Sequence, residues 1–254
     1  MIGDRLTVGV VTPHAAAGPE LELPAMTSGR VATVVFRTGS PPGASPPPSR
    51  TVSPAHVELR ASTELAAIER AAVSFGGKTL AAIAHASTTA GYVLGHREEA
   101  VMLGRLSQRF GVPAVASCAA AVAALRTRGV ETVQLVHPPW FDDGFDELGA
   151  AYFRGQGLDT VVTRGVGLPG DPALVEPQDV VSWVEHHVAD GAGAVFLAGN
   201  GFRAAGAVEE LERRTDRLVL EANQVLLWGI LTATGAGWDV PGHGRLLRAG
   251  TSTT

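Results

Sequence analysis

The sequence predicts an α/β protein made of two pseudo-symmetric, Rossmann-like (flavodoxin-like) halves whose parallel sheets face a central cleft. Its short apolar segments are continuous rather than alternating, which is typical of strands covered on both faces. Helical patterns separate most of these segments, and that alternation indicates βαβ units. The chain also resembles itself, because residues 7–14 recur in outline at residues 132–139. In each half, a later strand ends in a small polar turn.

The predicted elements follow from apolar periodicity and from residues that begin or end helices. Strands are predicted at residues 6–11, 31–36, 80–85, 132–136, 160–163, 194–198 and 218–220. Helices are predicted at residues 54–75, 93–110, 119–128, 141–154, 178–190, 207–214 and 223–235. Ser53 and Pro54 suit the N-cap and first position of the first helix, and Gly111 and Gly129 end the next two. Prolines make residues 39–49 a surface loop, with a lid over a site as the alternative.

Composition restricts both the organisation and the partners of the chain. The 254 residues are 45% hydrophobic, enough for one large domain or two small ones, and intrinsic disorder is excluded for most of the chain. We divide the chain into a first half of residues 1–115 plus 220–254 and a second half of residues 116–219. The net charge of −5, without basic runs, predicts no nucleic-acid and no membrane partner.

Cysteine usage and the chain start indicate the compartment. The single cysteine, Cys118, excludes an internal disulfide framework and a cysteine-based zinc site. The start lacks the features of a signal peptide, and no apolar stretch reaches the ~18 residues of a membrane span. We therefore expect a cytoplasmic protein. The sequence leaves its oligomeric state, including a homo-oligomer, open.

Two turns at matching places in the halves are the strongest candidate sites. Ser87, Thr88 and Thr89 follow a buried strand and precede a helix, where hydroxyl and backbone N–H groups suit a carboxylate or an oxyanion. In the second half, Gly199 and Gly201 allow close approach of a ligand, while the side chain of Asn200 offers an amide donor. Ordinary N-capping and a tight βα connection are the structural alternatives for these two turns.

Several titratable residues lie near predicted strand ends. His14, His85 and His137 lack a metal-ligand spacing, and a buried, hydrogen-bonded role is preferred for His85. Glu20 and Glu22 are placed in a loop after the first strand. Cys118 is interpreted as a packing residue at a helix start. Dinucleotide, phosphate-loop and hydrolase-elbow motifs are absent.

In order along the chain, these motifs resemble the aspartate/glutamate racemase superfamily, and within it the maleate cis–trans isomerase and arylmalonate decarboxylase branch. The matching segments are VVTPHAAAGPE (10–20), STTAGY (87–92), VP (112–113), SC (117–118), WFDD (140–143), GNGF (199–202) and GHGRL (242–246). The resemblance spans nearly the whole chain. It implies an enzyme that needs no cofactor and no metal and acts on a small carboxylate substrate.

The resemblance also implies which residues form the site, and it shows a departure. Relatives use one or two cysteines at equivalent strand ends, and these positions fall on Ser87 and on Gly199 or Asn200. A serine hydroxyl is a poorer base than a thiol, so thiol-based racemisation is not expected. Ser87, His14 and His137 are the candidate catalytic residues, and Glu20 is a further candidate base. The expected substrate-binding residues are Pro13, Thr88, Thr89, Tyr92, Trp140, Gly199, Asn200 and Gly201.

Three functions remain open from the sequence. The first is a cofactor-independent isomerase or lyase that forms an enolate-like intermediate beside a carboxylate. The second is a non-catalytic carboxylate-binding protein, and the third is a divergent hydratase or cyclase of secondary metabolism on the same scaffold. A histidine or carboxylate within hydrogen-bond reach of Ser87 would favour an enzyme.

Overall fold

The computed structural model describes residues 5–38, 59–61 and 63–248, which form strands and helices in alternation. The strands are β1 (Leu6–Thr12), β2 (Val31–Arg37), β3 (Ala82–His85), β4 (Ala114–Ala116), β5 (Thr132–His137), β6 (Asp159–Arg164), β7 (Ala194–Leu197) and β8 (Leu218–Glu221). The helices are α1 (Pro19–Met26), α2 (Leu65–Ser74), α3 (Thr88–Phe110), α4 (Ser117–Thr127), α5 (Asp143–Arg154), α6 (Pro177–Glu185), α7 (Val208–Thr215) and α8 (Ala222–Thr234).

The strands form two four-stranded sheets of equivalent topology. Their orders are β2-β1-β3-β4 and β6-β5-β7-β8, and every neighbouring pair is parallel. Strand β1 of the first sheet therefore corresponds to β5 of the second, and β3 corresponds to β7. The predicted fold class, two parallel α/β halves, is confirmed. Because β3 and β7 are equivalent, the turns at Ser87 and Gly199 occupy equivalent places.

Helix α8 joins the two halves. It directly follows β8 of the second sheet but packs on β3 and β4 of the first sheet, and also on α1 and α4. A Cβ atom at Gly229 would lie 2.6 Å from the Val115 side chain, so glycine allows the helix to lie close to β4. The largest cluster of buried side chains draws on both halves, including Tyr92 and Phe153. The division of the chain at residues 115 and 220 remains a prediction.

Some predicted elements differ from the structure. Glu20 and Glu22 lie in helix α1, not in a loop, because Pro19 occupies a first-turn position and Leu23 and Met26 supply a buried face. Strand β4 was not predicted, since three residues carry too little pattern. Helix α3 begins at Thr88 rather than 93 and is kinked at Gly95, where φ is 71°. Helix α6 ends at Glu185 rather than 190.

Several expectations lie outside the described residues. These are the N-cap at Ser53, the helix start at Pro54 and the loop at residues 39–49. Among the residues that the structure describes, no helix has the length and apolar character to cross a membrane.

Candidate active site

The carboxyl ends of equivalent strands carry the candidate site residues. Strand β1 ends at Thr12, and Pro13 and His14 follow it; β3 ends at His85, two residues before Ser87. In the second half, β5 ends at His137 and β7 is followed by Gly199. Ligands of parallel sheets bind at this edge, because loops leave all strands in the same direction there.

Ser87 and His14 are brought into contact by the pairing of β1 and β3. The Nε2 atom of His14 lies 2.8 Å from the Ser87 Oγ, and Thr89 Oγ1 lies 3.2 Å from the same hydroxyl and 3.3 Å from the imidazole nitrogen. Ser87 is also the N-cap of α3, since its Oγ accepts the backbone N–H of Ala90 at 3.0 Å. His14 is therefore within hydrogen-bond reach of Ser87, and this contact favours an enzyme over a binding protein.

The imidazole of His14 is held neutral. Burial, together with the smaller effect of the positive charge of Arg37, lowers its pKa from 6.5 to about 4. Burial and the neighbouring His14 likewise lower the pKa of His85 to about 4. A neutral ring has one nitrogen that accepts a hydrogen bond and one that donates, so Nε2 can exchange a proton with the Ser87 hydroxyl.

An ion pair between Arg37 and Glu20 anchors the loop that carries His14. Arg37, the last residue of β2, donates from Nε to the His14 carbonyl oxygen at 3.0 Å and pairs with Glu20 through its Nη2. Glu20 in turn accepts the backbone N–H of Gly18 at 3.0 Å. The pair therefore connects both ends of the loop from His14 to Gly18. Glu20 is thus engaged with Arg37. Burial raises the pKa of the Glu20 carboxyl, but the hydrogen bond from the Gly18 N–H, together with the hydrogen bond and charge of Arg37, brings it below its usual value.

The first turn of α3 presents unused donors. Within the described residues, the backbone N–H groups of Thr88 and Thr89 have no protein acceptor. The Thr88 Oγ1 is buried and has no partner there either. Free N–H groups at a helix N-terminus stabilise negative charge, and the helix dipole adds to this effect. This turn therefore has the donors that a carboxylate or an enolate oxygen needs.

The turn after β7 is held tightly by buried side chains. Gly199 has φ +96°, a conformation that a glycine adopts without strain. The Asn200 amide donates to Ser117 Oγ at 2.9 Å and to Asn223 Oδ1 at 2.8 Å, so both of its N–H bonds are used inside the protein. The predicted Asn200 side-chain donor is therefore occupied in this structure. The backbone N–H groups of residues 199–201 have no acceptor within the described residues.

The loop after β1 and the start of α4 connect the two turns. Gly18 packs its backbone against the carbonyl of Asn200, and a Cβ atom at Gly201 would lie 3.5 Å from Ala16. On the other side, the hydroxyl of Ser117 bonds Asn200, while the adjacent Cys118 Sγ lies 3.4 Å from the Thr88 carbonyl oxygen. The turns at Ser87 and Asn200 thus belong to one region between the halves.

His137 belongs to a separate buried network. Its Nδ1 lies 2.6 Å from Asp146 Oδ1, and its Nε2 lies 3.2 Å from the hydroxyl of Tyr92. Arg164 pairs with the second oxygen of Asp146. Both ring nitrogens are thus engaged by protein groups, and burial lowers the pKa of His137 despite the carboxylate. The structure brings Tyr92 to His137, not to Ser87.

The remaining predicted site residues are positioned as follows. Trp140 is partly buried, and its ring packs edge-on against Phe202 with centroids 5.7 Å apart. Pro13 is buried directly before His14. Cys118 is fully buried at the start of α4, and burial raises the pKa of its thiol well above the usual value. The thiol is therefore protonated at neutral pH.

Comparison with known proteins identifies the family. A sequence model described as arylmalonate decarboxylase matches residues 61–247. The chain belongs to the arylmalonate decarboxylase family. This confirms the resemblance to the branch that also contains maleate isomerase. A search of curated protein sequences gave no match.

Solved structures of arylmalonate decarboxylase and maleate isomerase share the fold of this family member. A maleate isomerase from Pseudomonas putida with maleate has a TM-score of 0.79 at 20% identity, covering 96% of this chain and 98% of that one. A Nocardia farcinica maleate cis–trans isomerase variant with a covalently bound succinylcysteine intermediate has a TM-score of 0.77 at 22% identity, covering 97% and 99%. An arylmalonate decarboxylase variant in a sulfate-associated form has a TM-score of 0.75 at 22% identity, covering 95% and 99%.

Sequence reasoning missed Arg37, Ser117 and Asn223. Arg37 directly follows the strand predicted at residues 31–36, and a charge next to an apolar run is a signal that could have been used. Ser117 lies in the SC segment at residues 117–118, and this short match assigns no role to the serine. Asn223 was placed at a helix start, where asparagine is common, so its contact with Asn200 gave no signal in the sequence.

Proposed function

We propose that this chain is a cofactor-independent isomerase or lyase that acts beside a carboxylate of a small mono- or dicarboxylic acid. Ser87 and His14 are the proton-transfer pair of the proposed reaction, which passes through an enolate-like intermediate. The observation that carries the proposal is the 2.8 Å contact between the Ser87 Oγ and the His14 Nε2, next to the unused N–H groups of Thr88 and Thr89. Family membership supports the reaction class.

The first turn of α3 would hold the substrate carboxylate. As negative charge moves onto the carboxylate oxygens, the N–H groups of Thr88 and Thr89 and the helix dipole would stabilise it. Fixed donors of this kind need no reorganisation during the reaction, and removing one typically costs 10²–10³ in kcat. The buried Thr88 hydroxyl, which has no partner in the described part of the chain, is a further donor at this turn.

Within this class, the electrostatics favour a decarboxylating lyase. Racemisation begins when a base removes a proton from carbon, and a histidine whose pKa is about 4 is a weak base. Decarboxylation instead requires only that a proton be donated after CO₂ leaves. The Ser87 hydroxyl, with the His14 Nε2 at 2.8 Å, is placed to make such a donation and to be reprotonated through the imidazole.

The proposed proton transfer balances without a cofactor. The bond to the departing carboxylate breaks, CO₂ leaves, and the electron pair remains on the adjacent carbon as an enolate of the retained carboxylate. The Ser87 hydroxyl gives its proton to that carbon, and the Nε2–H of His14 replaces it. In the same step the Nδ1 of His14 takes a proton from solvent, so the neutral ring changes tautomer without becoming an imidazolate, and one proton is consumed for each CO₂ released. Proton exchange with solvent then restores the Nε2–H tautomer.

The test measures turnover of small acids in D₂O. Phenylmalonate, methylmalonate, maleate and aspartate are incubated with the protein, and mass spectrometry records CO₂ loss, isomerisation and deuterium uptake. Ser87→Ala and His14→Asn should each lower kcat by ~10²–10⁴, the usual contribution of a positioned acid or base. Asp142→Ala is the matched control, since it also removes a helix N-cap, the 2.9 Å bond to the Phe145 N–H, but at the start of α5.

The outcomes separate the alternatives. Binding of malonates without turnover would show a carboxylate-binding protein, and addition of water to maleate would show a hydratase. Aspartate racemisation that iodoacetamide abolishes would refute the assignment of Ser87 and restore thiol chemistry. Equal loss in all three variants would indicate that capping, not proton transfer, explains the effect of Ser87→Ala.

A further inference from the structure

The side chain of Asn223 forms a clamp on the turn after β7. Its Nδ2 donates to the Asn200 carbonyl oxygen at 2.9 Å, and its Oδ1 accepts the Asn200 Nδ2 at 2.8 Å. Asn223 lies in the first turn of α8 and is fully buried. Two bonds from one amide fix both the backbone and the side chain of Asn200, so the orientation of this peptide is defined by Asn223.

We propose that Asn223, anchored by Glu22, is a positioning residue that fixes the direction of the backbone N–H of Gly201, so that this donor faces the substrate. The inference rests on the proposed function, because it concerns the same site. It assigns Asn223 and Glu22 a role in substrate binding that they perform without contacting the substrate themselves.

Peptide geometry carries the argument. The Asn200 carbonyl and the Gly201 N–H belong to one trans peptide and therefore point in opposite directions. Asn223 and the backbone of Gly18 both lie on the carbonyl side. The Gly201 N–H consequently points away from them, and it has no acceptor within the described residues. An unused donor held rigidly in this way is suited to an anion, as at the Thr88 turn.

Glu22 connects the clamp to the first half of the molecule. Its Oε2 accepts the Nδ2 of Asn223 at 2.6 Å, and its Oε1 accepts the backbone N–H of Ala205 at 3.0 Å. Glu22 lies in α1, directly after the loop that carries His14. The Glu22 carboxylate therefore connects Asn223 to the helix that follows the loop carrying His14.

The experiment uses malonate as the probe and compares changes from amide to acid. Asn223→Asp keeps the shape of the side chain but cannot donate to the Asn200 carbonyl. It should weaken malonate binding at least about tenfold, because the Gly201 N–H would lose its charge-assisted hydrogen bond to a malonate carboxylate. Gln134→Glu is the control. Gln134 is also fully buried, and its amide makes three hydrogen bonds, to Thr163, His187 and Ala189. Gln134→Glu should lower the melting temperature but leave the affinity for malonate unchanged.

A double variant separates positioning from stability. Glu22→Gln combined with Asn223→Asp restores a donor–acceptor pair between the two side chains, so the melting temperature should recover. Malonate affinity should stay low, because the donor to the Asn200 carbonyl is still missing. Recovery of malonate affinity together with the melting temperature would overturn the inference. Asn223→Ser, which adds no charge, replaces the single variant if Asn223→Asp does not fold.

A second measurement needs no bound ligand. In protein labelled with ¹⁵N-glycine, the amide signal of Gly201 should shift in Asn223→Asp, while that of Gly104 on α3 should not. An unchanged Gly201 signal would refute the positioning role. If the wild-type protein bound no malonate, the proposed carboxylate site would fail, and the Gly201 signal would still decide whether Asn223 controls this peptide.

Discussion

Replacing Arg37 by methionine should raise the pKa of His14. The guanidinium of Arg37 donates to the His14 carbonyl oxygen at 3.0 Å, and its charge disfavours the imidazolium. Burial is the larger cause of the lowered value, which is about 4. The Arg37→Met variant should therefore titrate above wild type but still below the ordinary 6.5. Because a more basic imidazole is protonated at higher pH, the acid limb of any activity should move upward with it.

The lowered pKa of His14 also makes the free energy of unfolding of the wild-type protein depend on pH. A pKa lowered from 6.5 to about 4 corresponds to about 3 kcal/mol, at about 1.36 kcal/mol for each pH unit. The unfolded chain takes up the proton below pH 6.5, whereas native His14 does not until about pH 4. This contribution to the free energy of unfolding is therefore present above pH 6.5 and is lost as the pH falls to about 4. Burial raises the pKa values of Glu22 and Glu99 to about 7. Their effect on the free energy of unfolding is opposite, because it lowers stability as the pH rises toward 7.

Because these contributions oppose each other, the assay must observe His14 directly. The imidazole Cε1–H signal is followed by ¹H–¹³C NMR between pH 3.5 and 8 in wild type and Arg37→Met. Arg213→Met is the control, since Arg213 is exposed on α7 and pairs there with Glu210. It should leave the titration of His14 unchanged. A wild-type His14 that titrates near 6.5 would refute the argument that burial and Arg37 keep the imidazole neutral down to about pH 4.

Two further variants, Cys118→Ser and Gly18→Ala, test the packing around the site, and Gly104→Ala is a contrasting control. Cys118→Ser should keep any activity, and native Cys118 should resist iodoacetamide, because its thiol is buried and its pKa is raised; rapid alkylation of the folded protein would contradict this. Gly18→Ala should destabilise the protein by about 1–3 kcal/mol, since its Cβ would overlap the Asn200 carbonyl oxygen. In contrast, Gly104 is an exposed position of α3, and a Cβ atom there would have no neighbour within 4 Å among the described residues. Gly104→Ala should therefore stabilise the protein by about 0.5–1 kcal/mol in urea unfolding.

The two-half α/β architecture and most of its strands were predictable from local pattern. The runs around Val10, Ile83 and Leu135 are buried on both faces, and burial of that kind produces continuous apolar segments. Helix α1 was missed because Pro24 lies inside it, and β4 because three residues show no periodicity. Both elements are stabilised by packing with distant parts of the chain, which a local pattern does not contain.

The amino-acid sequence by itself determined which residues lie at the strand ends, including His14 and Ser87. Only the tertiary structure decided their partners. Ser87 and His14 are 73 positions apart and meet because β1 and β3 pair in parallel, whereas His137 turns to Asp146 and Tyr92. A hydrogen bond depends on the separation of atoms in space to within a few tenths of an ångström, and spacing along the chain does not specify that separation.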